Sequence, residues 1–181
     1  MLKETDIEKS LYYMEPGPVV LVTSLDGKKK NVMTISWTGC LDFAQHFTLC
    51  TGPWNHSFDV IMKTKECVLA IPPAGMSETV VRIGDVSGTE IDKFKTFGLT
   101  GLKGKTVRAP LIKECMANIE CRVTDYVEEY GLIILEALHV WENPDVTDRR
   151  LIHAFADGTF SYDGERVSHR ELMADKLPPG L

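Results

Sequence analysis

The chain is poor in the features that mark specialised protein classes. Its five cysteines, Cys40, Cys50, Cys67, Cys115 and Cys121, include no C-x-x-C pair, so the paired spacing of a zinc or iron–sulfur site is missing. No apolar run approaches the roughly 20 residues that span a bilayer, and the opening MLKETDIEKS lacks the apolar centre of a signal peptide. Basic charge is also scarce: 20 Lys and Arg face 26 Asp and Glu, for a net charge of −6. Such a balance argues against non-specific nucleic-acid binding, which relies on neutralising phosphates. The one dense basic run, Lys28-Lys29-Lys30, is expected at a solvated hairpin tip. There is no H-E-x-x-H, no P-loop, no G-x-G-x-x-G after a strand and no Ser-His-Asp order. Neither a repeat nor a low-complexity linker interrupts the chain. A cytoplasmic protein with reduced, buried thiols is the expectation that remains.

What is present is ordinary in amount and informative in pattern. The 181 residues are 44% hydrophobic and 25% charged, enough for one real core, and a single domain over residues 1–181 is expected. Strand signals dominate. PVVLVTS (Pro18–Ser24) and NVMTISW (Asn31–Trp37) flank Asp26-Gly27, a hairpin-turn signal. HFTLCTG (His46–Gly52) and ECVLAIP (Glu66–Pro72) follow. Two long strands, within ANIECRVTDYVEEY and GLIILEALHVWEN, meet near Glu128–Gly131. A small hairpin with Asp163-Gly164 at its turn is expected in GTFSYDGERV. Amphipathic spacing predicts helices over Ser57–Lys65, Ser77–Asp85 and Thr89–Phe97, the last opening on Thr89-x-x-Asp92, close to a capping box. Strands with few βαβ alternations predict a mainly β fold, an antiparallel barrel with short helical insertions.

Three groups of residues could carry chemistry. In NVMTISW the even positions Thr34 and Ser36 share one face about 7 Å apart, with Met33, Ile35 and Trp37 on the other. Two readings stand: solvent-facing hydroxyls, or a pair that hydrogen-bonds a polar ligand. Ser57 sits at an expected helix start, where it serves as an N-cap. The same helix start also offers unpaired N–H groups and positive partial charge to a phosphate, and these roles are compatible. SGTEIDKF contributes Ser87, Gly88, Asp92, Lys93 and Phe94, which alone would make a turn, a cap and a charged helix. His139 falls on one strand face with Ile133, Leu135, Ala137 and Trp141, the position of a packed core or interface histidine.

Taken in order, PGPVVLVTS, DGKKKNVMTISWTG, NHSFDVI, SGTEIDKF and ANIECRV resemble the flavin reductase-like family, in particular its flavoredoxin-type members, over roughly Met14 to Trp141. DGTFSYDGERV is similar to the C-terminal segment of some members. The resemblance implies a six-stranded antiparallel Greek-key split barrel that forms a homodimer and binds FMN at the dimer interface. It further implies that Asn31, Met33, Thr34, Ser36 and Trp37 line the flavin and that Asn55, His56 and Ser57 hold its phosphate. Ser87, Gly88, Asp92, Lys93 and Phe94 would pack near the cofactor, with Thr51 and Gly52 as further candidates. Cys40 reads as a small apolar filler, with approach to the flavin as the alternative.

Two departures from the family pattern bear on activity. Many members carry Arg or Lys ahead of the helix-start serine, where this chain has Trp54-Asn55-His56. The reductases that use NAD(P)H typically have Gly-Asp-His between the last two long strands, where this chain reads Glu129-Tyr130-Gly131-Leu132. The resemblance thus implies an FMN-binding electron carrier acting with a redox partner protein. An NAD(P)H-dependent flavin reductase is the enzymatic alternative, and a non-catalytic flavin- or haem-binding module the third.

Overall fold

A computed structural model describes residues 17–172, so the opening MLKETDIEKS and Met14–Pro16 lie outside the described residues. Eleven strands and three α-helices follow in order: β1 (Val20–Asp26), β2 (Lys29–Ile35), β3 (Thr38–Cys40), β4 (His46–Cys50), α1 (His56–Thr64), β5 (Glu66–Ile71), α2 (Ser77–Gly84), α3 (Lys93–Thr96), β6 (Gly101–Leu102), β7 (Leu111–Ile112), β8 (Ala117–Val127), β9 (Leu132–Glu142), β10 (Ile152–Ala154) and β11 (Phe160–Tyr162). Seven strands form one antiparallel sheet in the order β2-β1-β5-β8-β9-β4-β3. That is one more than the six expected. The addition, Thr38–Cys40, is too short to show an alternating pattern. None of the described helices is long and apolar enough to cross a membrane.

The topology itself shows that the sheet curls. β2 and β3 are its opposite edges, yet only Ser36 and Trp37 separate them in the chain. The three Cα steps from Ile35 to Thr38 span at most about 11 Å, so the edges must come together at this end, and the Cys50 amide bonds the Trp37 carbonyl there at 3.0 Å. The sheet is therefore a split barrel, closed at one corner by a covalent link. At the opposite end of the β1–β2 hairpin, Gly27 (φ +60°) opens the turn between Asp26 and Lys29, a positive φ that glycine adopts without strain.

Alternation along β1 and β5 fills two cores. Val20, Val22, Cys67 and Leu69 point inward and pack with Met33, Ile35, Leu49, Ile133, Leu135 and, from α1, Phe58 and Ile61. Val19, Leu21, Val32 and Ala70 point outward beneath Val80 and Ile83 of α2, Phe94 of α3 and Ile152 of β10. Both faces of the central strands are covered, which is why those runs read as continuously apolar. Burying such a Val, Leu or Ile side chain contributes about 1.5–3 kcal/mol. The described cysteines are all free: Cys67, Cys115 and Cys121 are buried, Cys50 is half-buried and Cys40 is exposed, so Cys40 is not a core filler.

A buried carboxylate organises the loop before β7. Glu120 is 0% exposed and accepts from the Lys105, Thr106 and Val107 amides at 2.7, 2.7 and 2.8 Å and from the Trp141 indole at 2.7 Å. A Cβ on Gly104 would lie 2.7 Å from this carboxyl carbon, so the loop can close over it only with glycine there.

Four expectations need correction. The period-two reading set His139 beside Ile133 and Leu135, but a bulge interrupts the β8–β9 register: Cys121 faces Ala137 while Glu120 faces His139. The extra residue, Leu138, turns His139 to the outer face, where its Nε2 lies 2.8 Å from Thr106 Oγ1. The last hairpin pairs β10 with β11, placing Asp157-Gly158 rather than Asp163-Gly164 in the intervening loop. Asp163 instead binds His153 Nε2 at 2.7 Å and the Leu151 amide at 3.2 Å. The third helix begins at Lys93, with the Asp92 carboxylate capping the Lys95 amide, so Thr89 does not cap it. β2 ends at Ile35, and Ser36 therefore belongs to the edge-to-edge link and forms no strand-face pair with Thr34.

Candidate functional site

Edge strand β2 meets the ends of the three described α-helices, and a cavity of about 280 Å³ opens where they converge. Asn31, Met33 and Thr34 form its strand wall, Trp54 and Asn55 with His56 and Ser57 of α1 a second side, and Gly84 to Gly88 with Lys93 a third. The approach of α2 to the strand has a local cause. Thr34 Oγ1 donates to the Val80 carbonyl at 2.6 Å, and Gly84 sits where an added Cβ would lie 3.4 Å from Thr34 Cβ.

Asn31 is the centre of the polar wall. It is 5% exposed, and its Nδ2 donates to Ser57 Oγ at 3.0 Å, joining β2 to the first turn of α1. A Cβ on Gly88 would stand 2.2 Å from Asn31 Oδ1, so the loop after α2 can approach this amide only with glycine. Ser57 is 2% exposed and lies one position inside the helix. The cap residue is Asn55, which makes no side-chain cap bond because its Nδ2 is turned to Thr51 Oγ1 at 3.0 Å. The sequence-based assignment of the N-cap to Ser57 is corrected accordingly. The first turn of α1 faces the cavity without a side-chain cap, the condition under which a helix start attracts an anion.

Lys93 supplies the buried cation. It is 5% exposed, its Nζ donates to the Ile83 carbonyl at 2.8 Å, and no carboxylate among the described residues forms an ion pair with it. Burial pushes its ammonium pKa below the ordinary lysine value. A desolvated cation held only by a carbonyl is under-compensated, and an anion in the cavity would complete it.

Of the residues singled out from sequence, Asn31, Met33, Thr34, Asn55, His56, Ser57, Ser87, Gly88 and Lys93 come together on this cavity. The others lie outside its lining. Ser36 and Trp37 form the edge-to-edge link, with Trp37 exposed. Thr51 is buried beneath, receiving Asn55 and donating its amide to the Gly131 carbonyl at 2.9 Å. Gly52 lies under the Trp54 ring. Asp92 caps α3, and Phe94 is core, with Lys30 Nζ 4.4 Å from its ring centroid. Sequence reasoning did not single out Gly84, Asp85 and Val86 as site residues, since they carry no pattern and reach the cavity only because α2 ends there. Trp54 was noted only as a departure, although an aromatic beside Gly-Pro was the available signal.

The lining offers an uncapped helix start and a buried ammonium to an anion, and the polar groups of Asn31, Ser57 and Thr34 beside them. Comparison with known proteins agrees with this fold. A protein of Archaeoglobus fulgidus is 32% identical over 160 residues, covering 83% of this chain and 90% of its own. Flavoredoxin of Desulfovibrio vulgaris (Miyazaki F) superposes with a TM-score of 0.83 at 21% identity, over 92% of this chain and 96% of that one. The FMN-binding domain of a flavin reductases-like enzyme from Shewanella baltica OS155 gives 0.77 at 23% identity, over 91% and 95%. The family model described as the flavin reductase like domain matches residues 12–161, and the chain belongs to the flavin reductase-like family.

Proposed function

We propose that the protein binds FMN in the cavity between β2 and the helix ends and passes electrons through it, as a flavoredoxin-like carrier. One observation carries the reading: a buried lysine with no carboxylate partner among the described residues, an uncapped helix start and the Asn31–Ser57 pair converge on one polar cavity. When bound, the flavin supplies the electron chemistry, and the protein supplies binding, orientation and electrostatics. Lys93 and the His56–Ser57 turn would hold the phosphate. Asn31, Ser57 and Thr34 would offer hydrogen bonds to polar edges, and Met33 would shield one side from water.

The reading extends to a homodimer with the flavin at its interface. Trp37, Leu41 and Phe43 are 56%, 54% and 67% exposed around edge strand β3, and a second copy would cover such a patch. Five free thiols suit a reducing cytoplasm, with a redox protein as partner. Rapid mixing of the FMN-loaded protein with NADH, NADPH and dithionite tests the reading. A carrier bleaches near 450 nm (roughly, as flavins generally absorb) with dithionite and not with NAD(P)H. Bleaching by NAD(P)H would instead establish the reductase.

A further inference from the structure

Trp54 is 75% exposed, more than any other tryptophan of the chain, yet its position is defined from below. Its six-membered ring rests on Gly52: a Cβ built there would stand 2.2, 2.4 and 2.8 Å from Cζ3, Cη2 and Cε3. The same ring edge reaches Gly131, where a Cβ would lie 3.1 Å from Cη2. Gly131 has φ +59° at the tip of the β8–β9 hairpin, and its carbonyl receives the Thr51 amide. The turn is closed by the Asn55 amide on the Gly52 carbonyl at 2.9 Å. Two glycines, one from the β4–α1 connection and one from the β8–β9 hairpin, thus make a seat that side chains would fill. The rest of the indole is open and lines the cofactor cavity.

We infer that Trp54 is a stacking platform, set by the Gly52–Gly131 seat, for a planar heteroaromatic ring at the cavity mouth. The inference rests on the flavin-binding reading and deepens it. An exposed indole has hydrophobic area to gain by covering and a π-face suited to an electron-poor ring. Its seat fixes the ring before the ligand arrives, which lowers the ordering cost of binding. The ring belongs either to the flavin itself or to a nicotinamide that reacts with it, and the two share this chemistry.

The test compares Trp54→Phe, Trp54→Leu, Gly52→Ala and the Gly52→Ala/Trp54→Leu double variant by FMN titration and by NADH and NADPH titration of the FMN-loaded protein. Gly52 has no positive φ, so alanine is allowed by its backbone, and the three atoms nearest its Cβ all belong to the indole. If the flavin stacks, Trp54→Leu and Gly52→Ala each weaken FMN binding about tenfold, the scale of aromatic stacking on a base. Trp54→Phe then stays close to the unaltered chain, and Gly52→Ala adds nothing once Trp54 is leucine. If nicotinamide stacks, the same pattern appears in the NAD(P)H titration with FMN affinity unchanged. Unchanged affinities for both ligands in Trp54→Leu overturn the inference while leaving the flavin site standing. So does a phenylalanine variant as impaired as leucine. Failure of the unaltered chain to bind FMN overturns both. Should Trp54→Leu not fold, as judged by its circular dichroism, Gly52→Ala against Trp54→Phe decides alone.

Discussion

Asn31 on edge strand β2 donates its amide N–H to Ser57 in the first turn of α1 across 3.0 Å, with both residues buried. This bond brings a strand wall and a helix start to one cavity. Replacing Ser57 with Ala removes the hydroxyl that the proposed function offers to FMN and takes away the partner of the Asn31 amide. FMN affinity is expected to fall by about 1–2 kcal/mol, between a neutral hydrogen bond and one to a charged group, which is ~5- to 30-fold in Kd. A fluorescence titration measures it, and an unchanged Kd would remove Ser57 from the site.

Glu120 should make the protein acid-sensitive in a defined window. Burial alone would raise its carboxyl pKa, but the amides of Lys105, Val107 and Thr106 and the Trp141 indole outweigh burial and hold it at about 2, against an ordinary 4.5. The carboxylate is favoured in the folded state, so its stabilisation is complete above about pH 5.5. It is lost as pH falls through 4.5 toward 2. The full linkage is worth about 3 kcal/mol. Glu120→Gln should lower stability by about 2–4 kcal/mol at pH 7 and flatten the acid limb of a urea-melt series between pH 5.5 and 2.5. An equally steep limb in the variant would assign acid sensitivity elsewhere.

Thiol chemistry should single out one cysteine. Cys40 is exposed at edge strand β3, whereas Cys67 and Cys121 face each other inside the barrel and Cys115 lies in the second core. The hydrogen-bonded Cys121 thiol and burial raise the pKa of Cys67, and burial raises that of Cys115 and Cys50. Since the thiolate is the reactive form, native labelling at pH 8 should show one fast equivalent that Cys40→Ser abolishes. Fast labelling that survives in Cys40→Ser would mean that the barrel opens at the β4 side.

How much of this was legible beforehand follows from the range of each signal. The apolar runs of β1 and β5 and the alternation within β2, β8 and β9 are local, and so are the Asp26-Gly27 turn and the amphipathic α1, so these elements were readable from sequence. Ordered motif spacing likewise placed Asn31, Ser57, Gly88 and Lys93 as candidates. What was not readable depends on pairing between distant segments. One bulged residue, Leu138, moves His139 to the other face, and nothing in the β9 sequence announces it. Asn55 displaces Ser57 as helix cap by two positions, the scale on which helix ends vary. The Gly52–Trp54–Gly131 seat joins residues about 80 positions apart only after the sheet has formed.

Lys93 separates the needs of folding from those of binding. Its side chain is buried, bonded to the Ile83 carbonyl and without an acidic partner among the described residues. Burial lowers its pKa in the folded state, so the charged form is disfavoured by folding and the group costs stability at neutral pH. That cost fades as pH rises toward the unfolded value near 10.5. Lys93→Met keeps the apolar stem, removes the desolvated charge and leaves one carbonyl unpaired, two effects of opposite sign. The variant without ligand should therefore melt within about 1 kcal/mol of the unaltered protein, or above it. Its FMN affinity should nevertheless fall at least about tenfold, because a charge-assisted bond to phosphate is worth about 1.5–3 kcal/mol. Riboflavin, which lacks the phosphate, should bind both proteins alike. If Lys93→Met weakened riboflavin and FMN equally, the lysine would be supporting the cavity wall and the anion would lie elsewhere, leaving the α1 start to hold it.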